Sequence, residues 1–313
     1  YFNKYGKMVT DKGIHDLQMS SAGQMFDGYY YFGGENGALV QEAVETPEGF
    51  PVDENGKVET RNLGMKGLKT RITELLDSYE GTWSVYVKDL KADKKFELNS
   101  QLLYSASLIK VFVMAQTYAN MDAVLQNEAA KLKKDVSDPA VSAKVNDLLW
   151  NMITVSDNDA ANTLTTYLGG GDSAAGMQAV NSFCQAHGYD QTHMGRMLLA
   201  SNENDDNYTS VGDCGHLLQE IYKQDTSGYT HATDMFNLLK AQTRCNKIPA
   251  QLPEGVKTAN KTGELDNVEN DAGIIYDSKN DVVIVFMSQN LSSAGSAQNT
   301  IATLSRTIYD YYN

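Results

Sequence analysis

From about Lys66 onward the apolar positions fall into regular periods. Leu68, Ile72, Leu75 and Leu76 recur at helical spacing and predict an amphipathic helix ending near Gly81. Trp83 to Leu90 and Lys95 to Asn99 read as strands. Ser107 to Asn120 is apolar enough for a buried helix, and helical segments continue to about Leu168, where Gly169-Gly170-Gly171 stops the last. Lys257 to Thr262, Ala272 to Tyr276 and Val282 to Ser288 read as strands, with Ser278 to Asp281 as a polar turn between the last two. Ala297 to Tyr312 reads as a closing helix. Helix, strands, many helices, strands, helix predicts an α+β fold, an antiparallel sheet flanked by helices.

The pattern before this is different. Tyr1 to Thr10 has the form aromatic pair, polar turn with glycine, apolar pair; Tyr31 to Val40 repeats it, and Phe50 to Glu59 is a degenerate third copy. Asn36-Gly37 and Asn55-Gly56 are hairpin turn signals, because both residue types tolerate positive φ. Each unit reads as a short β-hairpin, too small to be stable without neighbours. The expected organisation is therefore a β-hairpin repeat segment over 1–64 and a larger domain over 65–313.

Composition narrows the function. The chain has 313 residues, 42% of them hydrophobic, with a net charge of −14. That balance argues against a nucleic-acid partner, which favours a basic patch. No apolar run is long enough to span a membrane. Cys184, Cys214 and Cys245 have neither a disulfide-framework nor a zinc-ligand spacing, and read as isolated thiols or as one disulfide with a free thiol. His15, His187, His193, His216 and His231 form no metal pair. No metal or other cofactor is expected. The chain starts at Tyr1 without a methionine and reads as a processed or truncated piece of a longer protein.

Candidate chemistry begins at Ser107-Leu108-Ile109-Lys110. A serine and a lysine three residues apart on a helix share one face. A lysine held in a poorly solvated pocket can lose its proton and then accept one from the serine hydroxyl, which makes a nucleophile without histidine. Ser156-Asp157-Asn158 and Lys261-Thr262-Gly263 follow in that order, each occurring once. The first of these, between Thr154-Val155 and a helical stretch, can present two side chains to a cleft. The second supplies a charge and a hydroxyl suited to a carboxylate, and a glycine that lets a ligand lie close to the backbone.

The ordered triple resembles the penicillin-binding protein and serine β-lactamase superfamily, and most closely its class A β-lactamase branch. Trp83 to Val87, Asp159-Ala160-Ala161-Asn162, Leu168-Gly169-Gly170, Thr192 to Arg196 and Asn270-Asp271-Ala272-Gly273 extend the likeness across roughly 65–313. The resemblance implies Ser107 as nucleophile, Lys110 as its activator, and Ser156 as the proton relay to the leaving nitrogen. It also implies Lys261, Thr262 and Gly263 at the substrate, Asn158 on its amide, and an oxyanion hole made by the N–H groups of Ser107 and Glu264. Asp157 is expected to hold its loop together. Two departures stand out. The glutamate that releases the acyl-enzyme in that branch falls at Leu198, and an apolar side chain cannot be a general base. Glu203, four residues before Asn207, is the candidate substitute, in a loop of acids with Asp205 and Asp206. The strand after Gly263 also lacks the arginine that many class A enzymes use on the substrate carboxylate.

The N-terminal units resemble cell-wall-binding repeats of Gram-positive surface proteins, but contain no tryptophan, since Trp83 and Trp150 both lie later. Three readings stay open: a β-lactamase with unusual deacylation, a penicillin-binding D-alanyl-D-alanine carboxypeptidase or transpeptidase of peptidoglycan, and a wall-attachment protein with a vestigial enzyme domain. All three imply an extracellular, wall-associated protein, with a cell-wall polymer as the partner of the repeats.

Overall fold

The computed structural model describes residues 12–21, 23–46, 51–58, 65–223 and 231–312. The chain divides into two compact units, residues 1–74 with Tyr312 and residues 75–311.

In the first unit β1 (Gly13–Ser21) and β2 (Gln24–Phe32) form a regular antiparallel hairpin, from Gly13 opposite Phe32 to Ser21 opposite Gln24. Leu17, Tyr30 and Phe32 make its small core. The sequence pattern does not announce β1, because its apolar positions are interleaved with His15, Asp16 and Gln18. Asn36-Gly37 is not a two-residue strand connection. Glu35–Gly37 forms a short 3-10 turn, closed by a Gly37 N–H bond to the Gly34 carbonyl, with Gly37 at φ 71°. Asn55-Gly56 does turn the chain tightly, with Val52 bridged to Val58 and Gly56 at φ 79°. Asp53 Oδ1 fixes that turn by accepting from the N–H groups of Asn55 and Lys57, each at 2.8 Å. The turn then adds to β2 through Tyr31 N–H to Gly56 O and Val58 N–H to Tyr29 O. The remaining pair is β3 (Val44–Glu45) with β4 (Pro51–Val52). The expected first copy, Tyr1 to Thr10, lies outside the described residues.

After α1 (Met65–Leu76), β5 (Thr82–Asp89) and β6 (Lys94–Leu98) lead through β7 (Leu103–Tyr104) to α2 (Ile109–Ala119). The helices α3 (Met121–Leu132), α4 (Pro139–Thr154), α5 (Asn158–Leu168) and α6 (Ser173–Ala186) follow. Then come β8 (His193–Met194), β9 (Asn207–Thr209), α7 (Val211–Lys223) and α8 (Ala232–Lys240). The chain closes with β10 (Lys257–Leu265), β11 (Val268–Tyr276), β12 (Val282–Gln289) and α9 (Ala294–Tyr312).

Five strands form an antiparallel sheet in the order β10-β11-β12-β5-β6. This is the expected α+β arrangement, with a β-hairpin sheet ahead of it. β12 is buried almost throughout, reading Val-Val-Ile-Val-Phe-Met, as a central strand covered on both faces must be. α2 is buried from Ile109 to Thr117 and forms the centre of the core with Leu149, Met152, Ile153, Leu164, Val211 and Leu217. Two consequences position the site. β10 is an edge strand with one side free, and α2 carries its first turn from the core to the surface beside that edge. Among the described residues no helix is long and apolar enough to cross a membrane.

Candidate active site

Ser107 sits in a 3-10 turn, Ala106–Leu108, immediately before α2. Ala106 takes φ 46°, a left-handed conformation that costs a non-glycine residue roughly 1–2 kcal/mol. Bonds from outside the turn hold it there. Asn270 on β11 donates its side-chain amide to Tyr104 O at 2.9 Å and Ser105 O at 3.2 Å, and Ser105 N–H reaches Asn207 O at 2.9 Å. The result is a half-buried serine at a helix start, with Lys110 one turn on.

Lys110 is fully buried, and its Nζ touches four oxygens. Ser156 O lies at 2.6 Å, Asn158 Oδ1 at 2.7 Å, Ser107 Oγ at 3.0 Å and Ser156 Oγ at 3.2 Å. The two nearest are carbonyl oxygens, which can only accept. A neutral amine has two N–H bonds, so both go to the carbonyls and the lone pair is left for a hydroxyl proton. Burial lowers Lys110 to about 8; Asp157 opposes this and Arg244 reinforces it.

Ser156 is presented by its own strained backbone, at φ 64°. The next residue, Asp157, caps α5 by accepting from Ala160 N–H at 2.7 Å, while its N–H bonds Asn151 O at 3.0 Å. Thus Asp157 holds the loop while its neighbours on either side point at Lys110. Lys261, fully buried on β10, donates to Ser156 Oγ at 2.8 Å and to Thr262 O at 2.7 Å. Burial, and then repulsion from Lys110 and Arg244, holds Lys261 well below the ordinary lysine range, against the pull of Asp271. The Ser156 hydroxyl therefore bridges two buried lysines.

Beside Lys261 the edge strand is shaped for a ligand. Thr262 Oγ1 is buried and has no hydrogen-bond partner among the described residues. A buried unpaired hydroxyl is costly, and its place on the free edge suits an acceptor from outside. Gly263 is required by close approach, since a Cβ there would lie 2.9 Å from Ser105 O and 3.2 Å from Ser107 N.

Arg244 and Lys247, which the motifs do not point to, complete the charge distribution. The loop after α8 is tied down by Thr243, which bonds Thr154 O through N–H at 3.2 Å and Oγ1 at 2.9 Å, and by Gln242, which bonds Ile153 O at 3.1 Å. From it Arg244 Nη1 reaches Glu264 Oε2 at 2.5 Å. Burial raises the Glu264 carboxyl, but Lys247 and then Arg244 outweigh it and leave it below the ordinary glutamate range. The strand after Gly263 has no arginine, and the guanidinium beside Glu264 comes from this loop. The sequence signal was the pair of cations in Arg244-Cys245-Asn246-Lys247, shortly before the β10 motif. Four basic side chains, Lys110, Arg244, Lys247 and Lys261, thus gather here, and Glu264 and Glu269 pair with two of them.

The loop between β8 and β9 is organised differently. Asn162 on α5 clamps Leu198 by both backbone groups, donating to its carbonyl at 3.0 Å and accepting from its N–H at 2.8 Å. Leu198 itself packs on the apolar core. Glu203 is exposed, and among the described residues no hydrogen bond or ion pair links its carboxylate to Ser107 or Lys110. Asn207, expected to pair with it, instead accepts from the N–H groups of Gly195 and Arg196 at 3.0 and 3.1 Å. The acids Asp205 and Asp206 pair with His193 at 2.6 Å and Arg196 at 2.7 Å.

A buried lysine within bonding distance of a serine that opens a helix, with a second serine from the α4–α5 loop bonded to a second lysine on β10, defines a serine hydrolase of the lysine-activated kind. The sequence profile described as the β-lactamase enzyme family matches residues 67–312, and the chain belongs to that family. Among individual proteins, it is 21% identical over 276 residues to a β-lactamase of Bacteroides uniformis, covering 79% of this chain and 91% of that one. It is 24% identical over 230 residues to the extended-spectrum β-lactamase PER-1 of Pseudomonas aeruginosa, covering 69% and 73%. Solved structures share the fold. PBP-A superposes with a TM-score of 0.65 at 21% identity over 79% of this chain and 96% of that one. A β-lactamase of Chitinophaga pinensis DSM 2588 does so with 0.64 at 18%, over 79% and 99%.

Proposed function

We propose that residues 65–313 form an acyl-enzyme with β-lactams through Ser107 and open the ring. The carrying observation is the meeting of the three motifs around the Ser156 hydroxyl, which lies between Lys110 and Lys261. Lys110 Nζ lies within 3.2 Å of Ser107, Ser156 and Asn158, and Lys261 Nζ lies 2.8 Å from Ser156. Neutral Lys110 takes the Ser107 hydroxyl proton as Oγ bonds to the lactam carbonyl carbon. The N–H groups of Ser107 and Glu264 receive the oxyanion. As the ring C–N bond breaks, the nitrogen takes its proton from Ser156 Oγ, which is resupplied by Lys110 or Lys261. Thr262 Oγ1 and Lys261 receive the substrate carboxylate, Asn158 its amide, and Gly263 leaves room for the acyl chain.

A second reading has its own support. A penicillin-binding carboxypeptidase or transpeptidase of D-alanyl peptides needs the same acylation chemistry, and Leu198 supplies no base for water. The β-hairpin segment over 1–64 suits a wall-bound spacer, which fits an extracellular, wall-associated protein and a cell-wall polymer as its ligand. Intact-mass spectrometry with a penicillin, followed over time, tests both. An adduct that forms and disappears as product accumulates supports hydrolysis. An adduct that forms and stays supports the peptide-directed enzyme. No adduct at all overturns both and leaves the wall-attachment reading.

A further inference from the structure

Lys247 is a fully buried lysine that the proposed acylation steps do not use. Its Nζ lies 2.5 Å from Glu269 Oε2 and 3.2 Å from Glu264 Oε1, and it donates to Asn270 O at 3.1 Å and Gly263 O at 3.2 Å. The two carbonyls are hydrogen-bonded and the two carboxylates are ion-pair partners, and together they enclose an ammonium that is wholly buried and closed to a ligand. Glu264 and Glu269 are direct cross-strand partners, a like-charged pair that destabilises a sheet unless something neutralises it. Neutralisation explains the two carboxylates. It does not explain the carbonyls.

The Gly263 carbonyl has a specific meaning. β10 and β11 are joined by Asp266 and Asn267 alone, so the closing pair Leu265–Val268 is hydrogen-bonded and the pairs alternate from there. Gly263–Asn270 is then a bonded pair, and Glu264–Glu269 is not. The N–H of Glu264 therefore points away from β11, toward the free edge of the sheet and the Ser107 turn. Gly263 C=O and Glu264 N–H belong to one planar trans peptide unit and point opposite ways. A cation on the carbonyl oxygen fixes the plane of that unit and polarises it, which strengthens the N–H as a donor.

We infer that Lys247 is a positioning residue for the oxyanion hole, acting through the Gly263 carbonyl to aim and strengthen the Glu264 N–H. The inference rests on the acyl-enzyme reading above. Removing a whole oxyanion donor costs about 10²–10³ in rate; Lys247→Met leaves the N–H in place without its support and is expected to slow acylation about tenfold. Non-covalent affinity for the penicillin should stay unchanged.

The test uses a penicillin labelled with ¹³C at the lactam carbonyl, with the acyl-enzyme carbonyl stretch read by difference infrared spectroscopy. In Lys247→Met the stretch should move to higher wavenumber. The double variant Lys247→Met/Glu269→Gln, in which one positive and one negative charge are removed together, should behave like Lys247→Met. If it acylates at the wild-type rate with the wild-type stretch, Lys247 only neutralises charge and the inference is wrong. Glu269→Gln alone keeps the fold's buried cation but frees it from its nearest carboxylate. It should throw more of the charge onto the carbonyls and move the stretch to lower wavenumber; an unmoved stretch also overturns the inference, even if the Lys247 variants do not fold. A wild-type protein that gives no adduct sinks the acyl-enzyme reading and this one with it. An adduct that forms but does not respond to these variants sinks only the role of Lys247.

Discussion

Around Lys110, four oxygens from residues far apart in sequence converge on one nitrogen; around Leu198, the polar groups are turned onto the loop's own backbone and ion pairs. Both regions are well anchored, and α5 serves both, with Asn158 at its start and Asn162 one turn on. The difference lies in what each region does with its fixed backbone. The first uses strain at Ala106 and Ser156 to aim reactive groups into a cleft. The second fixes position 198 just as firmly but presents a leucine. Backbone held by an asparagine clamp can thus present an apolar side chain as firmly as the other region presents reactive ones.

The sharpest way to break this comparison is to remove the nucleophile. Ser107→Ala should abolish the penicillin adduct altogether in an intact-mass assay, and a surviving adduct of full stoichiometry places the chemistry elsewhere. Next in size is Lys110→Ala, expected to slow acylation by about 10²–10⁴, the usual contribution of a positioned base. An unchanged rate removes Lys110 from the mechanism. The same assignment predicts a pH profile. Lys110 is lowered to about 8, and only its neutral form can take a proton. Acylation should therefore fall as pH drops below that value, by about tenfold per unit, and level off above it. Stopped-flow acylation rates across this range test the sign; a rate that rises on acidification contradicts it.

Why the acylating region was legible in sequence and other parts were not follows from how each is encoded. Ser107 to Lys110, Ser156 to Asn158 and Lys261 to Gly263 are contiguous and chemically specific, so their proximity in space could be expected from the resemblance. Arg244 and Lys247 carry no motif. Their place depends on Gln242 and Thr243 bonding carbonyls at the end of α4, some 89 residues earlier, which no local pattern reveals. The main strands and the closing helix followed from apolar period, with one instructive shortfall. β11 begins at Val268, not Ala272, because Glu269, Asn270 and Asp271 are polar yet buried. Each has partners there: Lys247, the Ser105 turn, and Asn260 with the Ile248 N–H. Burial raises Asp271 to about 6 against the pull of Lys247 and these bonds. Polar residues in a strand read as a turn unless their partners are known. The short strands β7, β8 and β9 are too brief to show an apolar period, whereas the helices α6, α7 and α8 went unread although α7 and α8 are clearly amphipathic.

Two smaller effects bear on the hydrolytic side. Leu198→Glu supplies a carboxylate at a backbone already clamped by Asn162. It should shorten the acyl-enzyme lifetime about tenfold or more, against a loss of apolar burial on the order of 1 kcal/mol. An unchanged lifetime means that position 198 does not face the ester. Glu203→Gln is the complementary change and the smallest. Glu203 is exposed, its N–H bonds Ser201 Oγ at 3.3 Å, and its expected companion Asn207 is committed to Gly195 and Arg196. A base must come within hydrogen-bond reach of the attacking water, directly or through one further water. On the observed geometry Glu203→Gln should leave the acyl-enzyme lifetime unchanged, measured by intact mass after removal of excess penicillin. A lengthened lifetime would mean that the loop reshapes around the acyl group and delivers Glu203 to it. The contrast between the two regions would then be one of timing, with the second assembling only after the first has acted.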